Sequence, residues 1–145
     1  MTIRITGGTK NQKKYARSMV KFCIKTLMPR MKTLDITVKL KNPNGAMGYC
    51  LELDDNRTFE IEADCKLRMR KLLETIAHEM VHVKQFARRE LHPSMDSWYG
   101  KTYNPKKVSY WDLPWEIEAH GREVGLFVRW AEQEKLGHLK WTQDV

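Results

Sequence analysis

The sequence lacks any apolar run near the roughly 20 residues that a membrane-crossing helix needs. The segment from Met1 to Lys14 is basic but contains no apolar stretch, so no secretory signal is expected. Because both hydrophobic signals are missing, we expect a cytoplasmic protein without a membrane partner. Internal repeats and low-complexity stretches are missing as well. A chain of 145 residues can bury a sizeable core, so residues 1–145 are expected to form a single domain.

Cysteine is scarce, and its spacing excludes two kinds of scaffold. Cys23, Cys50 and Cys65 are odd in number, lie far apart and form no C-x-x-C pair. The missing pairs exclude a zinc ribbon, and a disulfide framework is not expected from such a pattern. We expect reduced and partly buried thiols.

Positive charge is in excess, with 26 Lys and Arg against 18 Asp and Glu and a formal net charge of +8. Such a balance favours acidic partners, nucleic acid first among them. The basic residues are nevertheless spread over several clusters between Lys10 and Lys107, and no nucleic-acid-binding motif accompanies them. A solvated basic surface is the alternative to a dedicated nucleic-acid groove, and the sequence leaves both open.

Apolar spacing predicts an α+β domain with an N-terminal helix, a three-stranded sheet, a long central helix and a C-terminal helix. The Asp54-Asp55-Asn56 turn is expected to join the second and third strands as a hairpin. The predicted elements, in order, are a helix over 9–28 capped by Thr9, strands near 34–40, 49–53 and 59–63, a helix over about 65–90 with Asp64 as N-cap, and a helix from Pro114 to about 136.

The segment His78-Glu79-Met80-Val81-His82 carries the chemistry. Residues four apart on a helix share one face, so both imidazoles can reach one metal ion. Two histidines and one carboxylate, with one position left for water, are typical of a catalytic zinc site. Glu79 lies beside the first histidine, where its carboxylate can act as general base towards a zinc-activated water and later deliver the proton to a leaving amine.

The third ligand must come from elsewhere, and the predicted final helix offers three candidates. Glu116 and His120 are four residues apart and share a face, whereas Glu118 lies on a different face together with Arg122. Glu116, His120 and Glu118 therefore all remain candidates on facing alone.

His78-Glu79-Met80-Val81-His82 followed by a helical glutamate resembles the zincin metallopeptidases, and specifically their gluzincin branch. The Pro114-to-Ala119 segment is similar to the Glu-x-x-Ala helix of minimal peptidases of the ImmA/IrrE type and of compact SprT-like phage and bacterial proteins. The resemblance implies one zinc ion per chain, with Glu116 as the third ligand and position 120 as a partner of a ligating histidine. This chain has His120 where those relatives more usually have Asp or Asn, and it lacks the zinc ribbon often found in SprT-like proteins.

The connection over 91–113 is unusually long for a compact domain, and such loops are often functional. Its tyrosines Tyr99, Tyr103 and Tyr110 are candidate donors to an oxyanion that develops during peptide hydrolysis. Arg122 could bind a substrate carbonyl or pair with Glu118. A substrate peptide is expected to add to a sheet edge, and the strand from Arg57 to Ala63 is the predicted edge.

Three functions are compatible with these patterns. The first is a zinc metallopeptidase acting on a protein substrate, as SprT-like relatives act on DNA-bound proteins and ImmA/IrrE-type relatives on transcriptional repressors. The second is a nucleic-acid-associated protein with a structural zinc held by His78, His82, Glu116 and His120. The third is an inactive zincin-like fold that serves as an interaction module, such as a phage factor that engages a host protein.

Overall fold

The computed structural model describes residues 1–42, 45–53 and 55–144. It shows a mixed α+β fold with three α-helices and a four-stranded sheet, which confirms the predicted class. The elements are β1 (Thr2–Gly7), α1 (Lys10–Leu27), β2 (Asp35–Lys41), β3 (Gly48–Glu52), β4 (Thr58–Asp64), α2 (Met69–Ala87), β5 (Ser97–Trp98), β6 (Lys101–Thr102) and α3 (Pro114–Gln133), with short 3-10 helices at Tyr110–Asp112 and Lys140–Gln143.

The sheet has the strand order β1-β2-β4-β3, in which the first three strands are parallel and β3 runs antiparallel to β4. The predicted three-stranded sheet was therefore wrong by one strand, because β1 is an edge strand with only Ile3 and Ile5 to mark it. Helix α1 connects β1 to β2 in the way expected of a parallel crossover. Gly7 ends β1 at a φ of +74°, where a Cβ would lie 2.1 Å from the Leu40 carbonyl oxygen.

The predicted hairpin of β3 and β4 is confirmed, whereas the predicted edge strand is wrong. Asp54, at the predicted turn, lies outside the described residues. The segment from Arg57 to Ala63 forms most of β4, which is covered by β2 on one side and by β3 on the other. The outer strand at this end of the sheet is β3, since β4 lies between β2 and β3.

Helix α1 begins where the sequence predicts, and the reason is a complete capping box. The Thr9 hydroxyl accepts from the Gln12 backbone N–H, and the Gln12 side chain accepts from the Thr9 N–H. These bonds satisfy two of the backbone donors that a helix leaves free at its start. The buried face of α1, which includes Met19 and Phe22, joins the core beneath the sheet.

Helix α2 is shorter than predicted and begins at Met69, with Arg68 rather than Asp64 as its N-cap. Asp64 is instead the last residue of β4, and its side chain accepts from the Lys66 backbone N–H in a tight turn. From Leu72 to Ala87 every residue of α2 is buried, since the helix lies between the sheet, α1 and α3. Polar side chains on this stretch therefore have to find partners inside the protein.

The long connection between α2 and α3 is structured, as its aromatic content predicts. It contains the β5–β6 hairpin and the 3-10 helix Tyr110–Asp112, which leads directly into α3. Trp115, at the start of α3, is fully buried and packs against Trp98 and Tyr103 of the connection. In the described part of the chain, no helix is both long and apolar enough to cross a membrane.

Candidate metal centre

Helix α2 presents His78 and His82 one turn apart on the face that packs against α3, and α3 presents Glu116 opposite them. The two Nε2 atoms lie 3.1 Å and 3.3 Å from the same Glu116 carboxylate oxygen, Oε1. All three side chains are buried, and their ligand atoms fall within 4.8 Å of one another. This cluster can hold a metal ion.

The two distances from the Glu116 oxygen to the histidine nitrogens are those expected around a tetrahedral ion. Ligands about 2.0 to 2.1 Å from a tetrahedral zinc lie about 3.3 Å apart, close to the two distances at Glu116. The donor set of two imidazoles and one carboxylate is also that of a catalytic rather than a closed structural zinc site. Of the three ligand candidates on α3, the structure brings only Glu116 together with both histidines in one group.

His120 belongs to a neighbouring group with His78 and Glu123. Its Nδ1 lies 2.7 Å from Glu123 Oε1, and its Nε2 lies 3.0 Å from the Tyr110 hydroxyl. Glu123 also approaches His78 Nδ1, at 3.5 Å, on the side of that ring away from Glu116. Glu123 thus lies at the second ring nitrogen of His78, a contact that the resemblance predicted for position 120. The sequence could have indicated it, since Glu116 and Glu123 are seven apart on one helix face.

Glu118 points away from the cluster, towards the other end of the α2–α3 contact. Its carboxylate accepts from Lys84 at 2.6 Å, from Gln85 at 3.0 Å and from Arg122 at 3.0 Å. Arg122 is consequently committed to the ion pair with Glu118, the second of the two roles predicted for it.

Gln85 was missed by the sequence analysis and is fully buried. Its side-chain oxygen lies 2.7 Å from His82 Nδ1, the ring nitrogen opposite the one that faces Glu116. It follows His82 by three residues, so the shared helix face was a usable signal. Each of the two histidines therefore has a polar partner on its second nitrogen, Gln85 for His82 and Glu123 for His78.

Glu79 differs from the other buried polar residues of α2 in its hydrogen bonding. In the described part of the chain its carboxylate has no hydrogen-bond partner, although it is only 6% exposed. Burial raises the pKa of Glu79, an effect that the neighbouring His82 and His78 oppose. A buried carboxylate whose oxygens remain available is the arrangement expected of a general base.

The histidines and carboxylates of the cluster shift one another's pKa values. Burial alone would lower the pKa of His78, but hydrogen bonds with Glu116 and Glu123 raise it to about 9. Burial alone would likewise raise the pKa of Glu116, yet hydrogen bonds with His78 and His82 hold it well below its ordinary value. The protein thus keeps a carboxylate and two imidazoles in contact inside the fold, where a divalent cation would satisfy all three.

A pocket of about 550 Å³ opens over the cluster, with β3 as one wall. Gly48 allows β3 to approach α2 closely, because a Cβ there would lie 2.8 Å from the Glu62 carbonyl oxygen and 2.8 Å from Thr75 Cγ2. Cys50 also lines the pocket, and burial raises the pKa of its thiol, to which Glu79 and Glu52 add. The described cysteines, Cys23, Cys50 and Cys65, are all free thiols, as expected.

Of the three loop tyrosines, only Tyr110 lines this pocket. Its hydroxyl donates to Glu116 Oε1 at 3.0 Å, beside the two histidines. Tyr99 is 67% exposed and packs against Trp98, and Tyr103 packs edge-on against Trp115. Of the three candidate oxyanion donors, Tyr110 is therefore the one that lies beside the histidine cluster.

No protein-family model, curated protein or solved structure matches this chain.

Proposed function

We propose that the protein is a zinc-dependent metallopeptidase. The observation that carries the proposal is the convergence of His78, His82 and Glu116 below a pocket into which the unpartnered Glu79 also faces. The resemblance of the α2 and α3 motifs to zincins supports it. Bound Zn²⁺ would supply Lewis acidity, which lowers the pKa of water and polarises a carbonyl group.

Glu79 is the proton carrier of the proposed reaction. Its carboxylate takes a proton from the attacking water as the oxygen bonds to the carbonyl carbon of the substrate. It then delivers that proton to the amide nitrogen as the carbon–nitrogen bond breaks, which leaves a free carboxylic acid and a free amine. The raised pKa of Glu79, caused by burial, improves its match to both transfers.

Tyr110 is placed to stabilise the charge that develops on the carbonyl oxygen. Its hydroxyl lies on the pocket side of Glu116, within 3.0 Å of a ligand oxygen. Burial and the nearby Glu116 raise the pKa of Tyr110, so the phenol keeps its proton. In the proposed reaction this one O–H turns from Glu116 Oε1 to the oxyanion, where a donor is strongest because water is excluded.

The free edge of β3 is the proposed binding site for an extended substrate. In the β3–β4 ladder, Leu53 and Met47 bond to β4, so the alternate residues Tyr49 and Leu51 do as well. The backbone groups of Gly48, Cys50 and Glu52 consequently face away from β4. A peptide that pairs with these groups would lie along the pocket wall.

Metal content and cleavage in a Glu79→Gln variant test the proposal together. We expect about one zinc per chain in both proteins and cleavage of unfolded or peptide substrates by the wild type. The variant should retain zinc and lose roughly 10²- to 10⁴-fold in kcat. Glu74→Gln is the matched control, because Glu74 is a buried carboxylate of the same helix that pairs with Arg70. Wild-type activity in Glu79→Gln would refute the peptidase assignment.

A nucleic-acid contact is the second candidate function, and helix α1 supplies the observation that favours it. This helix contains no Asp or Glu, and its charged residues form one exposed row about 22 Å long at 1.5 Å per residue. The row consists of Lys10, Lys13, Lys14, Arg17, Lys21 and Lys25. Since the apolar face of α1 is buried in the core, the row is a rigid surface that matches a nucleic-acid backbone.

A further inference from the structure

The hydrogen bonds of Gln85 determine which way round its side-chain amide lies. The amide nitrogen is 3.0 Å from the Trp115 carbonyl oxygen and 3.0 Å from Glu118 Oε1. Both of these atoms only accept hydrogen bonds, so the two N–H groups of the amide must point at them. The amide oxygen is left facing His82 Nδ1. The reverse orientation would set an oxygen against two acceptors in a fully buried place.

Two cations hold the Glu118 carboxylate in place against the Gln85 amide. Lys84, whose side chain is 8% exposed, lies 2.6 Å from Glu118 Oε2, and Arg122 approaches the same oxygen at 3.0 Å. Lys84 is itself held on its other side by Glu90, at 3.0 Å. The Gln85 amide is thus oriented by a buried ion cluster that touches no metal ligand directly.

We propose that Gln85 is a positioning residue that fixes the tautomer of His82. Because its oxygen can only accept, Nδ1 of His82 must carry a proton, so Nε2, which lies beside Glu116, is the ring nitrogen that can bind a metal ion. The proposal rests on the proposed zinc site. It adds that the α2–α3 ion cluster orients Gln85, and that Gln85 in turn orients His82.

Nuclear magnetic resonance of the histidine ring nitrogens tests the tautomer directly. Long-range ¹H–¹⁵N spectra of the zinc-loaded protein should show a proton on His82 Nδ1 that exchanges slowly with water, and an Nε2 shift that marks metal coordination. The Nδ1 proton should also be present in the metal-free protein. A spectrum with the proton on Nε2, or with zinc on Nδ1, would overturn the proposal.

A Gln85→Met variant measures what the amide contributes to zinc binding. It keeps the length of the side chain and removes its hydrogen bonds, so His82 can adopt either tautomer. We expect zinc affinity, measured by chelator competition on folded protein, to fall about 10- to 100-fold, the usual effect of losing such a partner. The Nδ1 proton of His82 should then exchange rapidly. Unchanged affinity together with a protected Nδ1 proton would contradict the proposal.

A control separates positioning from general stability. Gln12→Met is the control, since Gln12 donates to the Cys65 carbonyl at 2.8 Å and belongs neither to the metal cluster nor to the lining of its pocket. It should lower the melting temperature without changing zinc affinity.

The two proposals fail in different ways. If the wild type binds no zinc, the peptidase proposal fails, while the exchange rate of the metal-free His82 Nδ1 proton, compared between the wild type and Gln85→Met, still decides the role of Gln85. If the wild type and Gln85→Met bind zinc equally well with the same Nδ1 protection, the positioning role fails and the metal site stands.

Discussion

At the scale of single residues, side chains that the sequence did not distinguish occupy different positions relative to the site. Tyr99, Tyr103 and Tyr110 lie on one connection, yet only Tyr110 reaches the pocket over the histidines. The 3-10 helix that begins at Tyr110 leads into α3, so its position is tied to that of Glu116 six residues later. Spacing alone could not show this, because the path of a long connection depends on what it packs against.

A Tyr110→Phe variant should retain zinc and lose catalytic rate. Removal of one oxyanion donor typically lowers kcat by about 10²- to 10³-fold, and KM should change less. Steady-state kinetics on a peptide substrate with zinc analysis of the same samples is the measurement. Tyr103→Phe serves as the control, since Tyr103 contacts Trp115 through its ring rather than its hydroxyl. Equal kcat values for Tyr110→Phe and the wild type would remove Tyr110 from the mechanism.

The residues that sequence reasoning identified at once are those whose partners lie on the same helix. His78, Glu79 and His82 need only helical spacing to be brought together. Glu116 needs the resemblance as well, because facing alone left His120 and Glu118 open. Gln85 acts through groups on two helices, so its role became visible only when α2 and α3 were placed against each other.

At the scale of elements, local signals predicted what local forces determine. The Thr9 capping box and the Pro114 start are encoded within a few residues, and both helices begin where predicted. Strand order is different, because insertion of β4 between β2 and β3 depends on contacts with β2, far away in sequence. For that reason the sequence predicted the hairpin correctly and its position in the sheet wrongly.

The free edge of β3 makes a specific prediction for substrate binding. Proline at position 50 removes an N–H that faces away from β4, so the ladder keeps its bonds and a paired peptide loses one. We expect Cys50→Pro to raise KM for extended peptides while zinc content stays constant. Cys50→Ala controls for loss of the thiol and should leave KM nearly unchanged. Equal KM values for the Pro and Ala variants would argue against peptide pairing at this strand.

At the scale of the whole molecule, the net charge of +8 is concentrated partly in the α1 row. Salt dependence tests whether that row contacts nucleic acid, because each phosphate contact contributes about −0.9 to the slope of log K against log salt for duplex DNA. A Lys14→Gln, Lys21→Gln, Lys25→Gln variant should make the slope less steep by up to about 3.

The matched control removes the same charge from other exposed lysines, in Lys66→Gln, Lys106→Gln, Lys107→Gln. If α1 forms the contact, this variant should bind with nearly the wild-type slope. Equal slopes for the two triple variants would show that net charge, rather than the α1 row, accounts for binding.

The open edge of β3 also affects the tendency of the protein to self-associate. A strand that is left unpaired for a peptide is equally open to the same strand of another copy, and Leu51 and Leu53 beside it are exposed. Mutual repulsion between molecules of charge +8 keeps such edges apart at low ionic strength. Salt screens that repulsion, so colloidal stability should decrease as ionic strength rises, and a peptide bound along β3 should restore it.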